Sequence, residues 1–273
     1  MKLAQFFDKE GNLRVGMVDG RAVFPLAFSG DMLDFIAQRP EVTRESHAIP
    51  LEEVRFAPVV LRPTKIIALG LNYRDHAEES KGEPPKAPLI FAKFPNSLAA
   101  HLSDIRWDPG ITQKVDYEAE LAVIIGKRVK DCTPQRALDS VFGYTCANDV
   151  SARDLQFGDG QWVRGKSLDS FCPLGPWIVT AEELRDPHGL HIACWLNGDL
   201  VQESHTGNMI FSVPEVISFL SRHFTLYPGD IILTGTPSGV GTFRDPPVYL
   251  KDGDLVIVEI QGIGKLVNRC RIV

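Results

Sequence analysis

A mostly β protein with some helix, of the α+β class, is what this sequence predicts, with a small α/β unit over residues 1–60 ahead of a larger body over residues 61–273. Three observations carry the expectation. Short apolar runs bounded by Gly, Pro, Asn and Asp recur from residue 65 to residue 270. Helical periodicity is confined to a few segments. No strand–helix–strand rhythm repeats, which excludes a doubly wound parallel sheet.

The elements follow in order. Leu3–Phe7 and Leu13–Val18 read as strands joined by a turn at residues 8–12, and Asp19-Gly20 is a hairpin signal leading into Arg21–Phe24. Asp31 is placed to cap a short helix, Met32–Gln38, which Pro40 stops. Prolines 58 and 63 mark the boundary to the larger unit. Strands are then expected at Lys65–Leu69, Leu89–Lys93, Tyr117–Ile125, Gly143–Ala147, Trp177–Thr180, His191–Leu196, Ile231–Leu233, Leu255–Ile260 and Lys265–Cys270. The best helix is Val213–Phe224, where Ser212 and Glu215 form a capping box and Pro214 falls in the first turn. Thr133–Leu138 is a shorter one.

Composition narrows the function classes. With 44% hydrophobic and 23% charged residues, the chain can bury a core, which excludes disorder as its main state. A net charge of −6 argues against non-specific nucleic-acid binding, which needs a basic stripe. The greasiest stretch, Leu121–Ile125, is strand-sized, so no membrane span is expected. The N-terminus meets Asp8 too soon to hold a signal peptide. The five cysteines are odd in number and widely spaced, with no C-x-x-C. They suit free thiols in a reducing, cytoplasmic setting.

Five segments can carry chemistry. Glu118 and Glu120 alternate along an expected strand and so share a face at the entrance to the core; a bare E-x-E is more often a solvated edge. Asp149 follows the strand Gly143–Ala147, where a carboxylate either serves a site or closes an Asx turn. Carboxylates from both segments, brought together, form a hard all-oxygen site that favours Mg²⁺ or Mn²⁺ over zinc. His76 and Glu79, at i and i+3 of a short helix, would make a general-base pair, although an isolated H-x-x-E is common on surface helices. The glycine-rich segment 234–241 lacks the lysine of a phosphate loop; it suits a tight turn whose amides and Thr236 hydroxyl hold a substrate carboxylate. The polar run from Glu78 to Lys86 suits a mobile lid that brings Glu79 into place, or a plain surface loop.

Seven stretches in one order resemble the fumarylacetoacetate hydrolase family over residues 62–273: GLNYRDHAEE (70–79), PLIFAKFPNSL (88–98), DYEAELAVIIGKR (116–128), GYTCANDVSARDLQ (143–156), GKSLDSFCPLGP (165–176), LNGDLVQESHTGNMIF (196–211) and YPGDIILTGTPSGVG (227–241). The chain is similar to the longer bacterial-type members that carry a small N-terminal domain. The resemblance implies a mixed β-sandwich roll and a homodimer. It implies a metal triad of Glu118, Glu120 and Asp149 for Mg²⁺ or Mn²⁺, a catalytic dyad of His76 and Glu79, and an active-site Lys166. It places Lys93, Arg153, Gln156 and Thr236 around the substrate.

The activity implied is metal-dependent hydrolysis of a C–C bond in a 2,4-diketo acid of the acylpyruvate or fumarylpyruvate type, releasing pyruvate as its enolate. The same machinery suits oxaloacetate decarboxylation or keto–enol isomerisation of a dienoic diacid. A non-catalytic dicarboxylate-binding module is the alternative of another class, and it has no use for the His76–Glu79 pair. The partner expected is a small 2-oxo acid, with no nucleic acid and no membrane.

Overall fold

The computed structural model describes residues 1–273. A meander of β1 (Lys2–Phe7), β2 (Leu13–Asp19) and β3 (Ala22–Pro25) opens the chain. In α1 (Met32–Gln38) the Asp31 carboxylate accepts from the Asp34 amide at 3.0 Å and Asp34 returns the bond at 3.1 Å, the expected cap. Next come β4 (Ile49–Pro50), β5 (Arg55–Phe56), β6 (Ile66–Gly70), α2 (Arg74–Glu79), β7 (Leu89–Lys93), β8 (Leu98–Ala99) and β9 (Asp104–Trp107). The centre holds β10 (Val115–Asp116), β11 (Ala119–Ile125), α3 (Pro134–Ala137), β12 (Val141–Asn148), β13 (Ser151–Ala152), α4 (Arg153–Asp159) and α5 (Val163–Lys166). Last are β14 (Cys172–Thr180), β15 (His191–Leu196), β16 (Asp199–His205), α6 (Val213–His223), β17 (Ile231–Leu233), β18 (Leu255–Ile260) and β19 (Gly264–Ile272). No helix is long and apolar enough to cross a membrane.

Mixed sheets dominate, as expected. The large sheet runs β4-β3-β2-β1-β14-β12-β11-β17-β6-β7, with β5 beside β1 and β8 beside β14; a second runs β16-β15-β18-β19-β9. They pack face to face. Leu121, Val123 and Ile125 on one face of β11 join Ile192, Cys194, Val258 and Leu266 of the second sheet in the main core. Ala122 and Ile124, on the other face, join Ile178, Ile231 and Leu233 in a second core with Leu3, Val15, Met32, Phe35 and Ile36. A strand buried on both faces reads as an unbroken apolar run, which is why Leu121–Ile125 shows no alternation. Residues 1–60 therefore extend the large sheet and share its core. All five cysteines are free, and all but Cys132 are buried.

The expected strand 117–125 is interrupted. β10 ends at Asp116 and β11 begins at Ala119, leaving Glu118 in the link. Glu118 therefore stands just ahead of the β11–β12 ladder rather than alternating within it.

Candidate active site

Strand register builds the site. Ala119 lies opposite Asn148 in the antiparallel β11–β12 pair, so the residues just outside it, Glu118 and Asp149, become neighbours. The Asp149 amide donates to the Glu118 carbonyl at 2.9 Å, and the Asn148 side-chain oxygen accepts from the Glu118 amide at 3.0 Å. β17 flanks β11 on its other side, with Leu233 opposite Ala122. The chain then turns at Gly235, whose amide donates to Glu120 Oε2 at 2.7 Å.

Glu118, Glu120 and Asp149 are all buried and each offers an oxygen within 4.8 Å of the others. Three buried cations answer them. Lys166 donates to Glu118 Oε2 and Asp149 Oδ2, both at 2.8 Å; Lys93 donates to Asp149 Oδ1 at 2.5 Å; Arg153 pairs with Glu118 at 2.7 Å and Asp116 at 2.8 Å. Burial pushes the Glu118 carboxyl up, but the Lys166 ammonium and Arg153 guanidinium outweigh it and hold it at about 2. Burial alone would push Lys166 down; the Asp149 and Glu118 carboxylates leave it raised. Glu120 differs. Burial, then Asp149 and Glu118, push its carboxyl well above the ordinary range, and its Oε1 is buried without any partner. An orphaned carboxylate oxygen facing two further carboxylates is the donor set of a hard divalent cation, so the residues present fit Mg²⁺ or Mn²⁺.

His76 and Glu79 meet as expected. α2 places His76 Nδ1 3.1 Å from Glu79 Oε2. Glu79 Oε1 accepts from the Gly239 amide at 2.8 Å, so the glutamate is already in place beside the histidine. Asn72 anchors the start of this segment: its Nδ2 donates to the Thr234 carbonyl at 2.8 Å and its Oδ1 accepts from the Phe211 amide at 2.8 Å.

Side chains of His76, Glu118, Arg153, Gln156, Lys166 and Thr236 line one cavity of 260 Å³. Glu120 and Asp149 do not line it and are fully buried. Lys93 does not line it: its ammonium is spent on Asp149 and the Val150 carbonyl, so it braces a carboxylate where contact with substrate was expected. In the glycine-rich turn the amides of Gly235, Gly239 and Gly241 donate to Glu120, Glu79 and Asp116, and Thr236 lines the cavity. Gly239 is required there, because its φ is +99° and a Cβ would lie 2.2 Å from the Val201 carbonyl oxygen.

Sequence reasoning missed Asp116 and Trp162. The Asp116 carboxylate, fully buried, accepts from the amides of Tyr117, Gly241 and Thr242 and from Arg153 Nε, so it fixes both Arg153 and the turn. Its one signal was its place two residues before Glu118. Trp162, on the link between α4 and α5, gave none.

Comparison with known proteins finds relatives over most of the chain. The family described as fumarylacetoacetate (FAA) hydrolase C-terminal matches residues 65–271. The oxaloacetate tautomerase FAHD2B, mitochondrial, of Bos taurus is 44% identical over 264 residues, covering 93% of this chain and 83% of that protein. The solved fumarylacetoacetate hydrolase of Exiguobacterium antarcticum superposes with a TM-score of 0.89 at 38% identity, covering 100% of both chains. The 2-hydroxyhepta-2,4-diene-1,7-dioate isomerase of Mycobacterium marinum superposes at 0.84 with 34% identity, covering 100% of this chain and 98% of that one.

Proposed function

This chain belongs to the fumarylacetoacetate hydrolase family, and from that premise we propose that it is a divalent-metal enzyme that moves a proton between the enol and keto forms of a short 2-oxo acid of the oxaloacetate type. The observation that carries the proposal is His76, which faces the same small cavity as Glu118 of the acidic triad and is backed by Glu79 at 3.1 Å. The similarity to an oxaloacetate tautomerase over 93% of the chain supports the substrate class.

Glu118, Glu120 and Asp149 would hold the cation. When bound, it supplies a positive centre that favours enolisation of a 2-oxo acid. The chain's own residues do the rest. Glu79 Oε2 fixes the His76 tautomer with the proton on Nδ1. Nε2 has no partner in the protein and is free to take a proton from the substrate enol or from C3 and return it to the other. Arg153, held by Asp116, and the Thr236 hydroxyl orient the carboxylate. Lys166 balances negative charge that develops on the substrate oxygen.

Hydrolysis of an acylpyruvate is the second reading. It is supported by the same dyad, which can activate a water, and by the 38% identity to a fumarylacetoacetate hydrolase. One experiment separates them. Purified protein is stripped with EDTA, reloaded with Mg²⁺ or Mn²⁺, and given oxaloacetate or acetylpyruvate while enol absorbance and pyruvate are followed. Metal-dependent loss of oxaloacetate enol without pyruvate supports the tautomerase. Pyruvate from acetylpyruvate supports the hydrolase, and pyruvate from oxaloacetate a decarboxylase. No change in either acid sinks all three.

We propose a homodimer as well. Edge strand β7 exposes Leu89 and Ile90, and Phe94 and Phe157 stand 55% and 59% exposed, an apolar edge that a second copy would cover. Sedimentation velocity is expected to give about twice the chain mass, and Phe94→Asp to shift the protein toward monomer; a wild-type monomer at micromolar concentration refutes it.

A further inference from the structure

The cavity of 260 Å³ falls below the roughly 300–1,000 Å³ of pockets that hold drug-sized ligands. Its lining combines the polar groups of His76, Glu118, Arg153, Gln156, Lys166 and Thr236 with apolar ones; Phe243 packs on His76, and Phe91 packs on Trp162. Trp162 is tightly fixed in that lining. Its benzo edge lies against Gly70 so closely that a Cβ on residue 70 would approach Trp162 Cζ3 at 2.7 Å. Its ring meets Phe91 edge-on, with centroids 5.3 Å apart at 69°. The Lys166 amide donates to the Trp162 carbonyl at 3.1 Å, which ties the position of the indole to that of the site lysine.

The cations that line the cavity are Arg153 and Lys166, both engaged by Asp116, Glu118 and Asp149. Both are held toward those carboxylates, although the Lys166 ammonium also stands 5.1 Å from the Phe91 ring centroid. A four-carbon diacid suits the small volume, whereas a seven-carbon diacid must extend against the Trp162 indole, where a carboxylate with no free cation to pair with is costly to bury.

We propose that Trp162 sets substrate length, restricting the enzyme to short 2-oxo acids and excluding longer dienoic diacids. The proposal rests on the enolising function put forward above. Gly70 serves it by making room for the indole.

The test compares metal-loaded wild type, Trp162→Ala and Trp162→Phe on oxaloacetate and on a seven-carbon 2-hydroxydienoic 1,7-diacid, following enol absorbance. In Trp162→Ala the ratio of kcat/KM for the long acid over the short one is expected to rise at least about tenfold, mainly through KM, with Trp162→Phe between. A general packing defect lowers both rates and leaves the ratio where it was. An unchanged ratio in both variants, or a wild type that already handles both acids equally, overturns the proposal. Calorimetric affinities for saturated 2-oxo diacids of the two lengths give the same comparison without turnover. If wild type moves the enol band of neither acid, the enolising function fails; a calorimetric preference for the short acid that Trp162→Ala removes would still uphold the length gate, and no preference would overturn it.

Discussion

Glu120 has less support from the protein than either of its partners, with one amide on Oε2 and nothing on Oε1. Because its folded-state pKa is raised, protonation is preferred in the folded chain, and metal-free stability falls as pH rises from the ordinary 4.5 toward the folded value. Glu120→Gln removes that cost. Its melting temperature in EDTA is expected to rise, by about 2–4 °C for each kcal/mol relieved, while the rise that Mg²⁺ or Mn²⁺ produces in wild type should vanish. Thermal shifts with and without metal check both halves, and an undiminished metal response would remove Glu120 from the ligand set. His76→Asn tests the other half of the site. Turnover should drop by about 10²–10⁴ with metal affinity by calorimetry unchanged; a kcat near wild type rejects the dyad. The residue types of the triad and dyad were legible from their motifs. The role of Lys93 was not, because a lysine's reach cannot be read from its place on a strand, and here Asp149 claims it.

Elements were legible where a short apolar run stands between turn residues. Leu89–Lys93, His191–Leu196, Ile231–Leu233 and Leu255–Ile260 match their expected bounds. β16 was overlooked although Asn197 and Gly198, at φ 54° and 95°, form the hairpin turn that leads into it; Asp199–His205 is too polar to stand out as a run. α4 and α5 were illegible for another reason. They are short, and α4 contains Gly158. Their placement is dictated by Arg153 and Lys166 reaching the carboxylates, so tertiary ion pairing overrides weak local propensity.

The connection from β8 to β9 offers a prediction of its own. His101 Nδ1 accepts from the Val267 amide at 3.0 Å and its ring packs edge-on against Phe56, so burial pushes its pKa down to about 4 from 6.5. The neutral form belongs to the fold. Its contribution is complete above pH 6.5 and is lost as pH falls toward 4, roughly 3 kcal/mol over that window. Urea titrations at a series of pH values should show a shallower loss for His101→Asn than for wild type; parallel curves would contradict this.

On the scale of the whole molecule, the composition change near residue 60 marks a change of task rather than a gap in packing. Leu3, Val15, Met32, Phe35 and Ile36 share one core with Ile124, Ile178, Ile231 and Leu233, and each large side chain so buried is worth about 1.5–3 kcal/mol. Calorimetry of the intact chain is expected to show a single transition, and a fragment of residues 61–273 should expose that core and aggregate; two separate transitions would argue for independent units. Sequence patterns revealed the two textures. They did not reveal the shared core, because the partners of residues 3–36 are themselves apolar strand residues with no mark of which face they serve.

The pairing of Leu3 with Ile178 has a consequence in time. A ribosome adding about 5–20 residues per second releases β1 roughly 10–35 s before the strand that will flank it. During that interval β1 to β5 can pair only among themselves, and of its final neighbours Leu3 finds only those of the first sixty residues, such as Val15, Met32 and Phe35. The newborn chain therefore carries its stickiest face first and completes it late, which makes the first hairpins the natural client of a holding chaperone.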